Sequence, residues 1–175
     1  MEVRPSRAED RPAIEAFLAE HHSVRVARRA ELVDPLRHHA LLAWAGEELV
    51  GVATYAIRET DCELLTLHAR SRFTGTGSAL LTAVQGAARR SACTRLWVVT
   101  TNDNVDALRF YQRRGLRLAH LRAGAVNQSR RTLKPEIPAI GSHGIEIRDE
   151  LELEMDLRQS HPGRGDGHAR SSEDR

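Results

Sequence analysis

The stretch Leu64 to Ser78, LLTLHARSRFTGTGS, limits what this chain can fold into more than any other. Leu64 to Leu67 is a short apolar run that reads as a buried strand. A polar break follows, and then Arg72-Phe73-Thr74-Gly75-Thr76-Gly77. After Ser78 the pattern changes to helical spacing, with Leu80, Ala83, Val84, Ala87 and Ala88 on one face. Strand, glycine turn and helix in that order create an anion site. The first amides of a helix have no internal partner, and the macrodipole adds partial positive charge there. Gly75 and Gly77 carry no side chain to hold a phosphate away from those amides. The same glycines also suit a plain strand-to-helix turn.

The rest of the 175-residue chain supplies a sheet around this unit. Met1 to Arg4 suits a first strand. Ser6 with Glu9 three residues on has the spacing of a capping box, and Ile14, Phe17 and Leu18 form the stripe of a first helix. His21 to Leu36 reads as a loop and a second short helix. Its Arg25, Arg28 and Arg29 form a solvated basic face or meet an anionic group. Ala40 to Ala45 and Glu48 to Ile57 read as a hairpin about Gly46, with Gly51 marking a bulge or a close backbone approach. In the strand Asp61 to Leu67, alternation puts Asp61, Glu63, Leu65 and Leu67 on one face, and Cys62, Leu64, Thr66 and His68 on the other.

Thr94 to Thr101 is apolar at its centre, as in the middle of an α/β sheet. One of Asn102, Asp103 and Asn104 caps a helix that runs to about Arg113 and stops at Gly115. Leu116 to Leu121 forms another strand. Gly124 to Gly144 is a long connection of the kind that tends to be functional. A last strand spans Ile145 to Leu157, with Glu152, Glu154 and Asp156 opposite its apolar face. Its length leaves room for pairing across a homodimer. Residues 1–157 thus form one domain, and the Gly-, Ser- and Arg-rich residues 158–175 read as a disordered tail.

Composition narrows the function classes. A formal net charge of +2 does not suggest a nucleic-acid surface. No apolar run approaches a membrane span, and the charged N-terminus has no signal-peptide core, which points to the cytoplasm. Two cysteines, Cys62 and Cys93, are too few for a disulfide framework and suit small core positions. The nine histidines lack metal-ligand spacing, so no metal is expected.

Two better-known phosphate loops are excluded. No Lys follows the glycines, as a P-loop requires, and position 80 is Leu80 where a dinucleotide fingerprint needs Gly. The spacing of Arg72, Gly75 and Gly77 fits a third pattern, [Q/R]-x-x-G-x-[G/A]. A second motif, Asn104 to Leu116, fits N-x-x-A-x-x-x-Y-x-x-x-G-[FL]. In this order and at this separation the two resemble the GNAT family, the Gcn5-related N-acetyltransferases. The segment from Lys134-Pro135-Glu136-Ile137-Pro138 to Arg148-Asp149-Glu150 resembles one bacterial subgroup of that family.

The resemblance implies an α+β fold: a mixed, mostly antiparallel sheet of about seven strands with helices on both faces. Its fourth and fifth strands, here 61–67 and 94–101, would lie parallel and splay apart. It also implies acetyl-CoA as co-substrate. Pantetheine would pair with Leu65, Thr66 and Leu67. The pyrophosphate would sit on Phe73, Thr74, Gly75, Thr76, Gly77 and Ser78, with Arg72 adding charge. Asn104, Ala107 and Tyr111 would flank the arm. Phe73 stands where many family members have Gly, which narrows the loop or offers a ring to the adenine.

An alkylamine near pKa ~10.4 must lose a proton before it attacks a thioester. A carboxylate beside the acceptor can take that proton. Glu63 is the first choice and Asp61 the second. Either is also explained as a strand-edge charge. The Leu67 amide suits the oxyanion, and Tyr111 matches the family's general acid for the departing thiolate. His68 either reaches the site or is a loop residue. The expected activity is acetyl transfer to a primary amine, on a small molecule or a protein. The alternative is a non-catalytic acyl-CoA-binding sensor.

Overall fold

A computed structural model describes residues 1–71 and 73–158; the expected tail lies almost wholly outside the described residues. Seven strands make one sheet. In chain order they are β1 (Glu2–Pro5), β4 (His39–Ala45), β5 (Glu48–Arg58), β6 (Asp61–Ala69), β7 (Arg95–Thr101), β8 (Arg117–Arg122) and β9 (Glu150–Asp156). The numbers β2 (Val26–Arg28) and β3 (Glu31–Val33) belong to a separate two-stranded hairpin. The helices are α1 (Arg11–Glu20), α2 (Thr76–Arg90), α3 (Val105–Gln112) and α4 (Ala125–Thr132). The spatial order is β1-β4-β5-β6-β7-β9-β8. Only β6 and β7 pair in parallel; the other neighbours are antiparallel. This is the expected α+β architecture.

Alternation along β4 shows how three layers form. Leu41 and Ala43 face one side, where Leu80, Leu81, Val84, Ala87 and Ala88 of α2 pack on Cys62, Leu64, Leu96 and Val98. Ala40 and Leu42 face the other side, where Ile14, Phe17 and Leu18 of α1 pack with Leu49 and Val52. Full burial of such a side chain contributes about 1.5–3 kcal/mol, so these two stripes anchor the layers. Gly51 serves both roles expected of it. The pairing shifts register beside it, from Ala43↔Gly51 to Trp44↔Leu49. A Cβ at Gly51 would come 2.6 Å from Thr76 Cγ2 and 2.9 Å from Leu80 Cδ1, so its absence lets the start of α2 lie against the sheet.

Several expectations are corrected. Strict alternation fails in β6. Its pairing with β5 moves from Thr54↔Thr66 to Tyr55↔Leu64, leaving Leu65 as the extra residue of a bulge. Leu65 packs with Val33 and Ala56, Leu67 packs on the α2 side, and His68 stacks on His21 at the end of α1. Leu67 and His68 have therefore exchanged the faces that a period of two assigns. Asp10, rather than Ser6 and Glu9, shapes the entry to α1: its carboxylate accepts the Arg7 N–H at 2.7 Å and pairs with Arg4.

Residues 21–36 hold the β2–β3 hairpin and a 3₁₀ turn at Pro35–Arg37 instead of a second helix. The 124–144 connection contains α4. The last strand begins at Glu150; before it, Glu146 bridges Ile140 and the Ile147 N–H bonds the Ala139 carbonyl. β9 lies between β7 and β8 and pairs with both, so neither of its edges is free for a second copy. Its acidic face is covered at Glu152, which is 2% exposed and held by Arg95 and Arg122, both at 2.7 Å.

Candidate active site

The parallel pairing of β6 and β7 runs from Asp61↔Arg95 to Leu64↔Val98 and stops there. Beyond it β6 continues to Ala69 against β5, and β7 continues to Thr101 against β9. The two strands therefore part at Leu65 and Val99, leaving backbone groups of β6 unpaired on that side. The bulge at Leu65 turns β6 at the same point. A cleft of about 900 Å³ opens there, bounded by Leu67, His68, Gly77 and α3.

The glycine turn closes one end. Gly75, with φ +84°, is the N-cap of α2 in the left-handed region, a conformation that costs an L-residue about 1–2 kcal/mol. Thr74 Oγ1 is 3.1 Å from the Ser71 carbonyl, to which it donates, and 3.0 Å from Thr76 Oγ1. Thr76 is buried, whereas Phe73 is 92% exposed at φ +63°, so its ring neither fills nor narrows the loop. Arg72 lies outside the described residues. The basic side chains that do reach the cleft come from α3 and the turn after it: Arg109, Arg113 and Arg114. The Arg114 guanidinium lies 3.8 Å from the Phe110 ring centre and donates to Ser78 Oγ. A glycine-capped helix start and three arginines suit a polyanionic ligand.

α3 supplies the other wall. Asn104 caps it, with Oδ1 accepting the Ala107 N–H at 3.2 Å, and Asn104, Ala107 and Tyr111 all line the cleft. Tyr111 is only 6% exposed and meets Phe110 edge-on. Burial pushes its phenol above the ordinary value, so it stays protonated at neutral pH.

The two carboxylates expected as bases lie elsewhere. Glu63 accepts from Arg28 through two bonds, Nε to Oε1 at 2.6 Å and Nη2 to Oε2 at 2.7 Å. Asp61 Oδ2 accepts from Arg95 at 3.2 Å. Both border a separate hollow of about 420 Å³, beside Arg29, Arg58 and Trp97. They sit in the paired part of β6; at about 3.3 Å per residue, Glu63 is roughly 13 Å along the strand from Leu67. The basic run Arg25, Arg28 and Arg29 is also divided. Arg28 is buried on Glu63, Arg29 stacks 5.0 Å from Trp97, and Arg25 pairs loosely with Glu136.

Sequence reasoning left His68 open between the site and a loop, and missed the residues that surround it. The His68 ring lines the cleft, stacked on His21 with centroids 4.5 Å apart and planes 4° apart. Lys134, the one lysine, donates to the carbonyls of His22 at 3.0 Å and Arg25 at 2.7 Å, tying the 124–149 segment to the loop that carries His21. Arg130 holds that segment through the carbonyls of Ile137, Pro138 and Ile147. A lysine alone among 26 basic residues was the available signal.

Residues 4–116 match the model of the Acetyltransferase (GNAT) family. The chain belongs to that family. Two uncharacterized proteins of Bacillus subtilis (strain 168) are related by sequence. YdhI is 45% identical over 104 residues, 59% of this chain and 64% of YdhI, so the match spans less than two thirds of that protein. YxbD is 41% identical over 111 residues, 63% of this chain and 69% of YxbD. Solved structures share the fold at low identity. An IAA acetyltransferase from Bacillus cereus ATCC 14579 superposes with a TM-score of 0.68 at 21% identity, covering 89% of this chain and 99% of that one. A GNAT acetyltransferase from Elizabethkingia anophelis, crystallised with acetyl-CoA, gives 0.62 at 20% identity over 89% and 97%. The seven-stranded sheet of this chain is thus that of the GNAT fold. Among the described residues no helix is long and apolar enough to cross a membrane.

Proposed function

We propose that this protein transfers an acetyl group from acetyl-CoA to a primary amine. One observation carries the reading: β6 and β7 stop pairing at Leu64 and Val98, and the cleft that opens there contains a buried, protonated Tyr111. The residues present fit the co-substrate. The free edge of β6 at Leu65, Thr66 and Leu67 offers backbone partners to an extended amide arm, in the manner of an added strand. The amides from Gly75 to Ser78, with Arg113 and Arg114 nearby, suit its phosphates.

The thioester supplies an activated acetyl group. The Leu67 N–H would stabilise the oxyanion that forms as the amine attacks. Tyr111 would donate its proton to the sulfur as the carbon–sulfur bond breaks. Glu63 and Asp61 serve instead as ion-pair partners of Arg28 and Arg95. The loop carrying His21, held by Lys134, forms the acceptor side.

The test is release of coenzyme A thiol from acetyl-CoA with a panel of amines. Wild type should release thiol with at least one amine. Tyr111→Phe should lower kcat by roughly 10²-fold or more and leave the KM for acetyl-CoA unchanged. Cofactor binding with no turnover across the panel would instead favour a non-catalytic sensor.

A further inference from the structure

His68 is the one titratable ring nitrogen source on β6 that borders the cleft, and its ring is fixed in two directions. The stack on His21 sets its plane. Its edge is set by Ser23, whose Oγ lies 2.9 Å from His68 Nε2. The same hydroxyl donates to the His21 carbonyl at 3.0 Å. A serine hydroxyl has a single hydrogen, and a carbonyl oxygen can only accept. Only one arrangement gives both contacts a proton: Ser23 donates to the carbonyl, and His68 Nε2–H donates to Ser23. The neutral ring therefore carries its hydrogen on Nε2 and leaves Nδ1 with a bare lone pair.

We propose that His68 is the general base of the reaction, accepting the proton of the attacking amine on Nδ1. This rests on the acetyltransferase reading above. His68 follows Leu67 directly, so the base and the oxyanion donor stand on consecutive residues where β6 leaves β7. The bulge at Leu65 makes this possible by turning His68 to the α1 side while Leu67 packs on the α2 side.

The steps balance as follows. The nitrogen lone pair forms the C–N bond, and the carbonyl π electrons move to oxygen. One N–H proton passes to His68 Nδ1. The carbonyl then re-forms, the C–S bond electrons leave on sulfur, and Tyr111 protonates them. Transfer of the proton from the His68 imidazolium to the Tyr111 phenolate, through solvent, restores both groups. Burial and the neighbouring His21 hold His68 at a pKa of about 4, so the ring is neutral throughout the neutral range.

The proposal has a readout independent of turnover. In imidazole ¹⁵N NMR of the acetyl-CoA-free protein, His68 should show the neutral Nε2–H form at pH 7. Ser23→Ala should mix the tautomers. Thiol release is then followed with acetyl-CoA and n-butylamine, hydroxylamine, or water alone. His68→Gln keeps a nitrogen within reach of Ser23 but has nothing at the Nδ1 position. It should lower kcat with the strongly basic n-butylamine by about 10²-fold, with an unchanged KM for acetyl-CoA. The loss should be several-fold smaller with hydroxylamine, whose adduct sheds its proton more easily. His68→Phe, which keeps the ring, should behave as His68→Gln.

An Nδ1–H tautomer overturns the proposal. So does undiminished thiol release by a folded His68→Gln protein, while leaving the acetyltransferase reading intact. Absence of thiol release by wild type above the water-alone rate with either amine overturns both.

Discussion

Replacing Glu63 by Gln tests whether this carboxylate is a structural partner or a base. Glu63 and Arg28 are each 4% exposed and joined by bonds of 2.6 and 2.7 Å. Removing one charge of such a buried pair strands the other, at a cost of about 3–5 kcal/mol. Arg28 keeps one further bond, from Nη1 to the exposed Glu31 at 2.6 Å. That places the loss near the lower end, about 3 kcal/mol. For a domain of this size the melting temperature should fall by roughly 6–12 °C. The double variant Arg28→Met with Glu63→Leu removes both charges and should recover most of the stability, because well-packed apolar replacements of buried pairs are often neutral.

Urea and thermal denaturation of the single and double variants give the stabilities. Thiol release, measured where all variants are folded, gives the activities. Both variants should retain turnover within a few-fold of wild type. A stable, folded double variant that had lost turnover by about 10²-fold would refute the assignment and return Glu63 to the role of base.

Other outcomes follow from the same packing and charges. Gly51→Ala inserts a Cβ 2.6 Å from Thr76 Cγ2 and 3.1 Å from the His68 carbonyl oxygen. It should destabilise by about 1–3 kcal/mol in urea denaturation and weaken acetyl-CoA binding by displacing the start of α2. Lys134→Met frees the carbonyls of His22 and Arg25; it should raise the KM for the amine and leave the acetyl-CoA Kd unchanged in titration calorimetry.

Acid should weaken the fold through His68. Its folded pKa of about 4 lies below the ordinary 6.5, so the unfolded chain binds more protons between those values. The stability contribution is complete above pH 6.5 and declines as pH falls toward 4, by at most about 3 kcal/mol. His21, also lowered by burial, acts in the same direction. Urea midpoints at pH 7.5 and 5 measure this, and His68→Phe should flatten the dependence; a wild-type midpoint unchanged over that range would contradict it.

Much of the fold was legible because its signals are local. The apolar runs at Leu64–Leu67 and in Thr94–Thr101, the glycine pair 75/77 and the helical stripe from Leu80 to Ala88 each depend on residues close in sequence. So does the Asn104 cap, which bonds an amide only three residues away. The hairpin at 26–33 was not legible. Its turn uses Arg29 and Ala30 at positive φ, where neither residue type advertises such a conformation. What holds it is distant: the Arg29 N–H bonds the Glu150 carboxylate, and Arg28 meets Glu63.

The candidate base illustrates the limit most clearly. A period of two placed Glu63 beside Leu67, but one extra residue at Leu65 exchanged the faces of everything beyond it. Whether a carboxylate is free or paired depends on an arginine 35 residues away, and no spacing rule reports that distance.

By itself the sequence determined which segments become strand, glycine turn and helix, and so the cleft with its Tyr111 wall. Tertiary structure decided what faces that wall. A hydroxyl at 23, a ring at 21 and a ring at 68 come together only when the bulged end of β6 lies against the end of α1. Backbone preference acts over a few residues, whereas the placement of a proton depends on which groups the folded chain brings within 3 Å of one another.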